Sequence, residues 1–392
     1  MNYFGTSIVS QPDNTEFEAP VYEGFVSPEG SAIMDIALEG MREDYQLQAA
    51  LHIADAQLSL KAVTESTEAA DIALESVVGS TFGKIKDGLK KLWSKVKAWF
   101  KSVRESITMA FSKGKAFITK YKKTIQEKPA RGFEYTGYVW SVEAGNTKAT
   151  AAVNAIAAAV EKVTGELGSD AESIASSAAS QGMSAGAKDS YDASEIQEEI
   201  VRELASKVGA GSNGELSDIK EAIFKAYRSG AENGDTEELK EFSKVTRGTL
   251  IDLVEKSDKS LKLIADAEKA VDKTFSNSLK LISKAETAVG KLGNSSFEEK
   301  GGDNSSNATA GRRAKAATFA SKIAFATRYG QTLNSAIASS AVESIKASAA
   351  EAERVLKRFV SYGGAKENTE DLPEDLDGAQ AVIENFMNIT GI

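Results

Sequence analysis

The chain has no cysteine, one histidine and only five prolines in 392 residues. The absence of cysteine excludes disulfides, a thiolate nucleophile and a zinc ribbon, and it fits a reducing compartment. The single histidine, His52, excludes a metal site built on a histidine pair. So few prolines leave long spans in which nothing interrupts a helix. No window holds eighteen apolar residues in succession, so the sequence predicts no membrane-spanning helix.

Aromatic residues make up only 7% of the chain, whereas alanine and serine are common. Small side chains bury little area each, which favours thin contacts between helices over one thick core. The first thirty residues carry neither a basic start nor an apolar run, so no secretory signal is predicted. Glycine-rich pieces such as 209–214 match no phosphate loop or dinucleotide fingerprint. We therefore expect a non-enzymatic, all-α protein that needs no metal or cofactor.

Residues 82–123 differ from the rest of the chain in both charge and pattern. Segment 83–128 holds fourteen Lys or Arg against three Asp or Glu, a charge of +11, so the remainder of the chain carries −21. Apolar residues recur here at spacings of three and four, which is the period of one helical face. The pattern predicts an amphipathic helix with a lysine face. Its apolar residues are Phe82, Ile85, Leu89, Leu92, Val96, Trp99 and Val103.

Three uses of this helix stay open beside ordinary packing with solvated lysines. Its cations could lie along DNA phosphates, which needs charge and reach but no base readout. Trp93, Trp99 and Phe100 could instead enter a bilayer interface or a docking surface. The helix could also pair with an acidic helix, such as the neighbouring segment 37–58. The candidate contacts to DNA or to an acidic partner are Lys84, Lys86, Lys90, Lys91, Lys95, Lys97, Lys101 and Arg104.

Composition divides the chain into successive parts. The expected parts are an extended arm (1–28), a compact helical docking unit (29–145), an Ala/Ser-rich helical region (146–292) with a flexible stretch (164–194), a flexible loop (293–311), and a long helix with an acidic linker and a terminal helix (312–392). Aromatic and β-branched residues over 133–140 favour a short extended segment or β-hairpin. The body beyond the docking unit is expected to be an elongated bundle or coiled coil.

Caps and breakers predict finer boundaries. A first helix is expected from Ser31 to about Lys61. A second helix, 64–78, is expected to end at Gly79. Residues 236–292 are predicted to form one long helical stretch.

That stretch contains a clear internal repeat. SLKLIADAEKAVDK at 260–273 matches SLKLISKAETAVGK at 278–291 in ten of fourteen positions, with an offset of eighteen residues. Eighteen residues make five helical turns. Both copies are therefore expected to present the same face.

The N-terminal third has three pieces in a distinctive order. They are the acidic helix (37–58), the basic KIKDGLKKLWSKVKAWF (84–100) and GKAFITKYKKTIQEKPARGFEYTGYVW (114–140). In these pieces residues 30–145 resemble the N-terminal region of virion structural proteins of large tailed bacteriophages, notably internal head proteins of the jumbo type. The resemblance implies a protein made in the host cytoplasm and housed in the capsid interior, packaged with the genome or ejected beside it. Its implied partners are other virion proteins, packaged DNA bound without sequence preference, and further copies of itself.

In such phages a head-maturation protease cuts after Glu in Ser/Ala-x-Glu. Ser141, Val142 and Glu143 match this motif where the composition changes. Cleavage after Glu143 is therefore our hypothesis.

The leading interpretation is a non-enzymatic internal head protein of a virion. One alternative is a membrane-active helical protein that uses 82–123 on a bilayer during delivery. Another is a helical scaffolding protein that self-assembles and has no nucleic-acid role.

Overall fold

The structure of the protein is a computed structural model. It describes residues 36–44, 46–47, 68–176, 192–209, 216–228, 238–294 and 304–362. The predicted arm (1–28), the acidic linker and the terminal helix lie outside the described residues. Of the helix expected from Ser31 to Lys61, residues 36–44 and 46–47 are described, and they are helical.

Eight helices and two short strands make up the described part, and the predicted all-α class is confirmed. The helices are α1 (36–44), α2 (Glu68–Glu127), α3 (Val142–Ser176), α4 (Ala193–Val208), α5 (Leu216–Tyr227), α6 (Lys244–Glu255), α7 (Ser257–Asn294) and α8 (Asn304–Ser361). The strands are β1 (Glu134–Gly137) and β2 (Glu238–Glu241). At 1.5 Å per residue, the 60 residues of α2 follow a path of about 90 Å, with a kink at Tyr121. This length agrees with an elongated bundle.

The four longest helices, α2, α3, α7 and α8, pack side by side around one hydrophobic core. α2 and α8 run parallel, because Gly88 lies against Arg328 at one end and Lys128 binds the Phe359 carbonyl at the other. α3 and α7 run in the opposite direction. α8 lies at the centre, in contact with the other three.

The composition of α8 explains how it can be central. Every residue from 323 to 339 is buried, and most of them are small. At Gly330, an added Cβ would overlap a methyl group of Val160, so a glycine is needed for α3 to pack this close. Several hydroxyl groups in this stretch find partners inside the bundle; for example, Thr327 donates to the Ser278 hydroxyl at 2.7 Å, whereas the buried Ser339 hydroxyl has no partner among the described residues. Small residues thus allow a close helix contact here.

A buried ion pair holds α1 against the bundle. Asp44 Oδ2 lies 2.9 Å from Arg328 Nε of α8, and both side chains are 3% exposed. The guanidinium fills space that a Cβ at Gly40 or Gly88 would need. Ser321 also donates its hydroxyl to the Asp44 carbonyl at 2.8 Å. Burial raises the pKa of Asp44 to about 7, and the adjacent guanidinium opposes only part of that rise.

β1 confirms the extended segment expected within 133–140, and its partner strand is remote in sequence. β1 pairs antiparallel with β2, with Glu134 opposite Glu241. Beside the pair, the Phe133 ring meets the rings of Phe359 and Tyr362 edge-on, at centroid distances of 5.4 and 5.0 Å. The two strands therefore join the α2–α3 connection to the start of α6.

Two cations stabilise the C-terminal ends of α2 and α8. Lys128 Nζ donates to the carbonyls of Phe359 and Val360 at 3.0 and 2.7 Å. Arg247 of α6 donates to the Ile125 carbonyl at 2.7 Å. The last carbonyls of a helix have no partner within it, so a cation there supplies both hydrogen bonds and a favourable charge.

Some predicted boundaries differ from the structure. α2 passes through Gly79, so the expected helix end there is wrong. An interior glycine costs only about 1 kcal/mol, which is too little to interrupt a long packed helix. The stretch 236–292 is divided, because β2 and α6 precede α7 and Lys256 is the C-cap of α6.

The two segments expected to be flexible are helical where they are described. Residues 164–176 continue α3, and Leu167 and Ala171 are fully buried there. Residues 304–311 form the first turns of α8. Residues 177–191 and 295–303 lie outside the described residues. Burial of an apolar stripe outweighs the weak helix propensity of serine and glycine in α3.

The predicted boundary at residue 145 does not coincide with a break in the core. α2, from the expected docking unit, contacts both α7 and α8. Buried residues on all three helices belong to one hydrophobic cluster. The helices on either side of this boundary thus share one core.

Candidate functional site

The apolar face predicted for the basic helix is its buried face. Phe82, Leu89 and Val96 are at most 1% exposed, and the rest of the predicted set is also buried. Further along α2, Ile107 and Phe111 continue the same spacing of buried residues. The amphipathic helix is therefore confirmed, and its lysines lie on the remaining surface.

Three of the eight candidate cations point to α7 and are paired with its carboxylates. Lys86 lies 2.5 Å from Glu286, and Arg104 lies 2.5 Å from Glu268. Lys97 lies 3.5 Å from Asp272. The pairs are partly solvated, so each stabilises the interface by only about 0.2–1 kcal/mol.

Pairing with an acidic helix of the same chain, which the sequence left open, thus occurs with α7. Each of these three cations is paired with a carboxylate of its own chain. They are therefore less available to an outside partner than the remaining lysines of α2.

Trp93 is part of the same interface. Its indole Nε1 donates to Asp272 at 2.6 Å, and its ring stacks on Phe275 at 6.1 Å with 7° between the planes. The Lys97 ammonium lies 4.1 Å from the Trp93 ring centre, within the range of a cation–π contact.

The other two aromatic candidates are inside the bundle. Trp99 is 4% exposed and Phe100 1%, with their ring centres 4.8 Å apart. A bilayer could reach them only if α2 separated from α8. In the folded chain, all three aromatic candidates pack against other parts of the protein.

The repeat in α7 and the cations of α2 share one period. Glu268 and Glu286 occupy equivalent positions of the two copies, and their partners Arg104 and Lys86 are also eighteen residues apart. Ser260 and Ser278, which open the two copies, are both 1% exposed. The prediction that both copies present the same face is confirmed.

Sequence reasoning missed a second repeat, in α2 itself. Residues 82–99 and 100–117 are identical at five of eighteen positions, and Lys86 and Trp93 recur as Arg104 and Phe111. A comparison of α2 with itself at the offset already found in α7 would have revealed it. α2 and α7 thus share an eighteen-residue period, and they pack antiparallel with their ion pairs in register.

Seven of the remaining lysines are exposed along the side of α2 away from the core, and the exposed Glu105 lies between Lys101 and Lys113. We call this set the lysine stripe. Among the described residues, Lys90 alone of this set has a carboxylate oxygen within 4.0 Å, that of Asp87. From its first to its last member the stripe extends about 54 Å, at 1.5 Å per residue. Its members are Lys84, Lys90, Lys91, Lys95, Lys101, Lys113 and Lys120, all exposed.

The lysine stripe concentrates positive charge, and the carboxylates of α2 between its first and last members are Asp87 and Glu105. Five of its seven members are candidate residues from the sequence, and Lys113 and Lys120 extend it. A linear array of solvated ammonium groups suits a polyanion with regularly spaced charges, since it offers charge and reach but no fixed geometry for one ligand.

The candidate cleavage site lies in ordered structure. Glu143 is exposed in the first turn of α3, and its carbonyl accepts a bond from the Thr147 hydroxyl at 2.8 Å. Just before it, the Ser141 amide donates to the Tyr227 carbonyl at 2.7 Å. A protease would need this turn to unwind, so cleavage after Glu143 requires local opening.

The part of the chain that the structure describes contains a small cleft between two of its long helices. A cleft of about 100 Å³ between α2 and α8 is lined by Trp99, Ser339, Glu343 and Lys346 among others. No group of three or more His, Cys, Asp or Glu in that part could hold a metal ion. Within the same residues, no helix combines the length and the apolar character needed to cross a bilayer.

Comparison of the chain with protein-family models, with curated protein sequences and with solved structures finds no match.

Proposed function

We propose that this chain is a non-enzymatic structural protein of a tailed-phage virion, located inside the capsid with the packaged genome. In this proposal the lysine stripe of α2 binds DNA phosphates without sequence readout. The observation that carries the proposal is the segregation of the α2 cations. Those facing α7 are paired, whereas those facing solvent are exposed and, Lys90 apart, have no carboxylate partner among the described residues.

The electrostatic balance fits close packing beside DNA better than tight free binding. The whole chain carries −10, so it is repelled by a duplex at long range. Attraction is limited to the lysine stripe and to the screening distance of about 8–10 Å at ordinary salt. Such a protein would neutralise phosphates when confined with DNA at high concentration.

The capsid location is supported by the resemblance of residues 30–145 to internal head proteins. Mass spectrometry of purified virions of the encoding phage tests it. The chain is expected as an abundant component that stays with the DNA-filled head. Its absence from purified virions would contradict the location, whatever its affinity for DNA.

The DNA contact is tested with the full chain and two variants of equal charge. The stripe variant carries Lys84→Gln, Lys91→Gln, Lys95→Gln and Lys101→Gln. The control variant changes four exposed lysines away from α2, namely Lys244, Lys262, Lys269 and Lys280, to Gln. Binding to a random-sequence duplex at low salt should weaken in the stripe variant and stay near wild type in the control. Equal affinity of all three proteins would overturn the proposal.

A further inference from the structure

The described chain ends beside the C-terminal end of α2. Lys128, just after α2, donates to the carbonyls of Phe359 and Val360 at the end of α8. The Tyr362 hydroxyl donates to the Gly132 carbonyl at 2.9 Å. Residues 363–392 therefore start next to the end of α2 at which the lysine stripe finishes.

These thirty residues carry negative charge, which complements the positive charge of the lysine stripe. They hold seven Asp or Glu against one Lys. Six of the seven carboxylates fall between positions 367 and 377. They are Glu367, Glu370, Asp371, Glu374, Asp375 and Asp377.

The chain length allows the acidic run to reach the lysine stripe. An extended chain advances about 3.3 Å per residue, so residue 377 can lie up to about 50 Å from Tyr362. On α2, Lys120 and Lys101 are about 29 Å apart at 1.5 Å per residue. The acidic run, about 33 Å long when extended, can therefore lie along the stripe from Lys120 to Lys101.

We propose that the acidic segment 366–377 binds the lysine stripe of its own chain and competes there with DNA phosphates. The competition rests on the proposed function, whereas the contact within the chain does not. Because the segment is tethered next to the stripe, its effective concentration is in the millimolar range, which favours it over the same segment of another molecule. Individual solvated ion pairs are weak, so concentrated DNA can displace it.

The contact itself is tested by zero-length carbodiimide cross-linking of the full chain without DNA. Equal amounts of isotopically light and heavy protein separate links within a chain from links between chains. We expect links from carboxylates in 367–377 to lysines of the stripe, within single chains, that disappear when duplex DNA is added. Absence of these links, or links between chains only, would overturn the inference.

The competition is tested by neutralising the tail. The tail variant has amides at the six carboxylates between 367 and 377. A control variant removes the same charge from exposed carboxylates elsewhere. These are Glu198, Asp218, Glu221, Asp252, Glu255 and Asp266.

The tail variant should bind duplex DNA about tenfold tighter than wild type at low salt, as expected when a tethered competitor of millimolar effective concentration is removed. The control variant should gain much less. An equal gain in both variants would show a general charge effect and overturn the competition. If no protein binds DNA even at low salt, the proposed function fails, and the cross-links still decide the contact within the chain.

Discussion

Arg104 and Glu268 meet across the α2–α7 interface at 2.5 Å, and Lys86 and Glu286 repeat the same contact eighteen residues away along each helix. Eighteen residues are five turns of a straight α-helix, so the spacing keeps both contacts on the same side of α2 and of α7. Two helices with the same repeat length thus align their ion pairs in register. Of the other cations of α2, Lys97 also pairs with α7, whereas the lysine stripe faces solvent.

The two ion pairs should be equivalent in energy as well as in position. Both are partly solvated, so a double-mutant cycle with Arg104→Ala and Glu268→Ala should give a coupling of about 0.5 kcal/mol. The cycle for Lys86 and Glu286 should agree within error. Urea unfolding measures both couplings. A coupling well above about 2 kcal/mol in one pair alone would contradict the equivalence.

Phe100 should behave as a core residue and not as a membrane anchor. Because it is 1% exposed, Phe100→Ala should lower the free energy of unfolding by about 3–5 kcal/mol. Met109 on the same helix is 69% exposed, so Met109→Ala should change the free energy of unfolding by less than about 0.5 kcal/mol. Urea unfolding compares the two. A small effect of Phe100→Ala would indicate that α2 does not pack as described and would reopen the membrane alternative.

Stability should fall as pH rises from about 4 to 7, because of two buried carboxyls. Burial raises the pKa of Asp44 from 3.8 to about 7 and also raises the pKa of Glu351, where bonds from Trp140 and the Tyr138 amide oppose the rise. In this window the folded chain holds protons that the unfolded chain has released. The stabilisation by Asp44 is therefore complete below pH 3.8 and is lost as pH rises through the folded pKa.

The variant Asp44→Asn isolates the contribution of Asp44 to this pH dependence of stability. Asparagine has nearly the same shape and does not titrate, so the decline of unfolding free energy between about pH 4 and pH 7 should become shallower. Urea unfolding at several pH values, in constant ionic strength, measures it. An unchanged slope in Asp44→Asn would show that Asp44 is ionised throughout and that Arg328 outweighs burial.

Cleavage after Glu143, if it occurs in the virion, should leave the pieces together. α2 and β1 would lie on one fragment, but α2 shares its core with α7 and α8 on the other. We expect a virion-derived fragment that begins at Ala144 and that separates from residues 1–143 only in denaturant. N-terminal analysis and native size-exclusion chromatography test this. A full-length chain that starts at Met1 would dispose of the cleavage.

The sequence predicted features that one helix determines by itself. Spacings of three and four predicted which side of α2 is buried, and the offset of eighteen predicted that both copies in α7 present one face. In each case the hydrophobic pattern alone contains the information.

The sequence did not identify partners that are remote along the chain. The sequence offered the neighbouring acidic segment as one candidate partner of the basic helix, whereas the described ion pairs between helices join α2 to α7, more than 150 residues away. The partner of β1 is equally remote, because tertiary packing and not local pattern decides which strands meet. Trp93, Trp99 and Phe100 are the sequence candidates for a bilayer interface or a docking surface, although Phe100 lies one turn from Val96 on the buried face.

The salt dependence of DNA binding tests the central claim most directly. Each lysine–phosphate interaction that a substitution removes should reduce the slope of log affinity against log salt, in magnitude, by about 0.9. The stripe variant lacks four lysines, so its slope should be shallower than that of wild type by about 3 to 4. The control variant with Gln at positions 244, 262, 269 and 280 should keep the wild-type slope. Equal slopes in the stripe and control variants would contradict the claim that the lysine stripe of α2 contacts DNA.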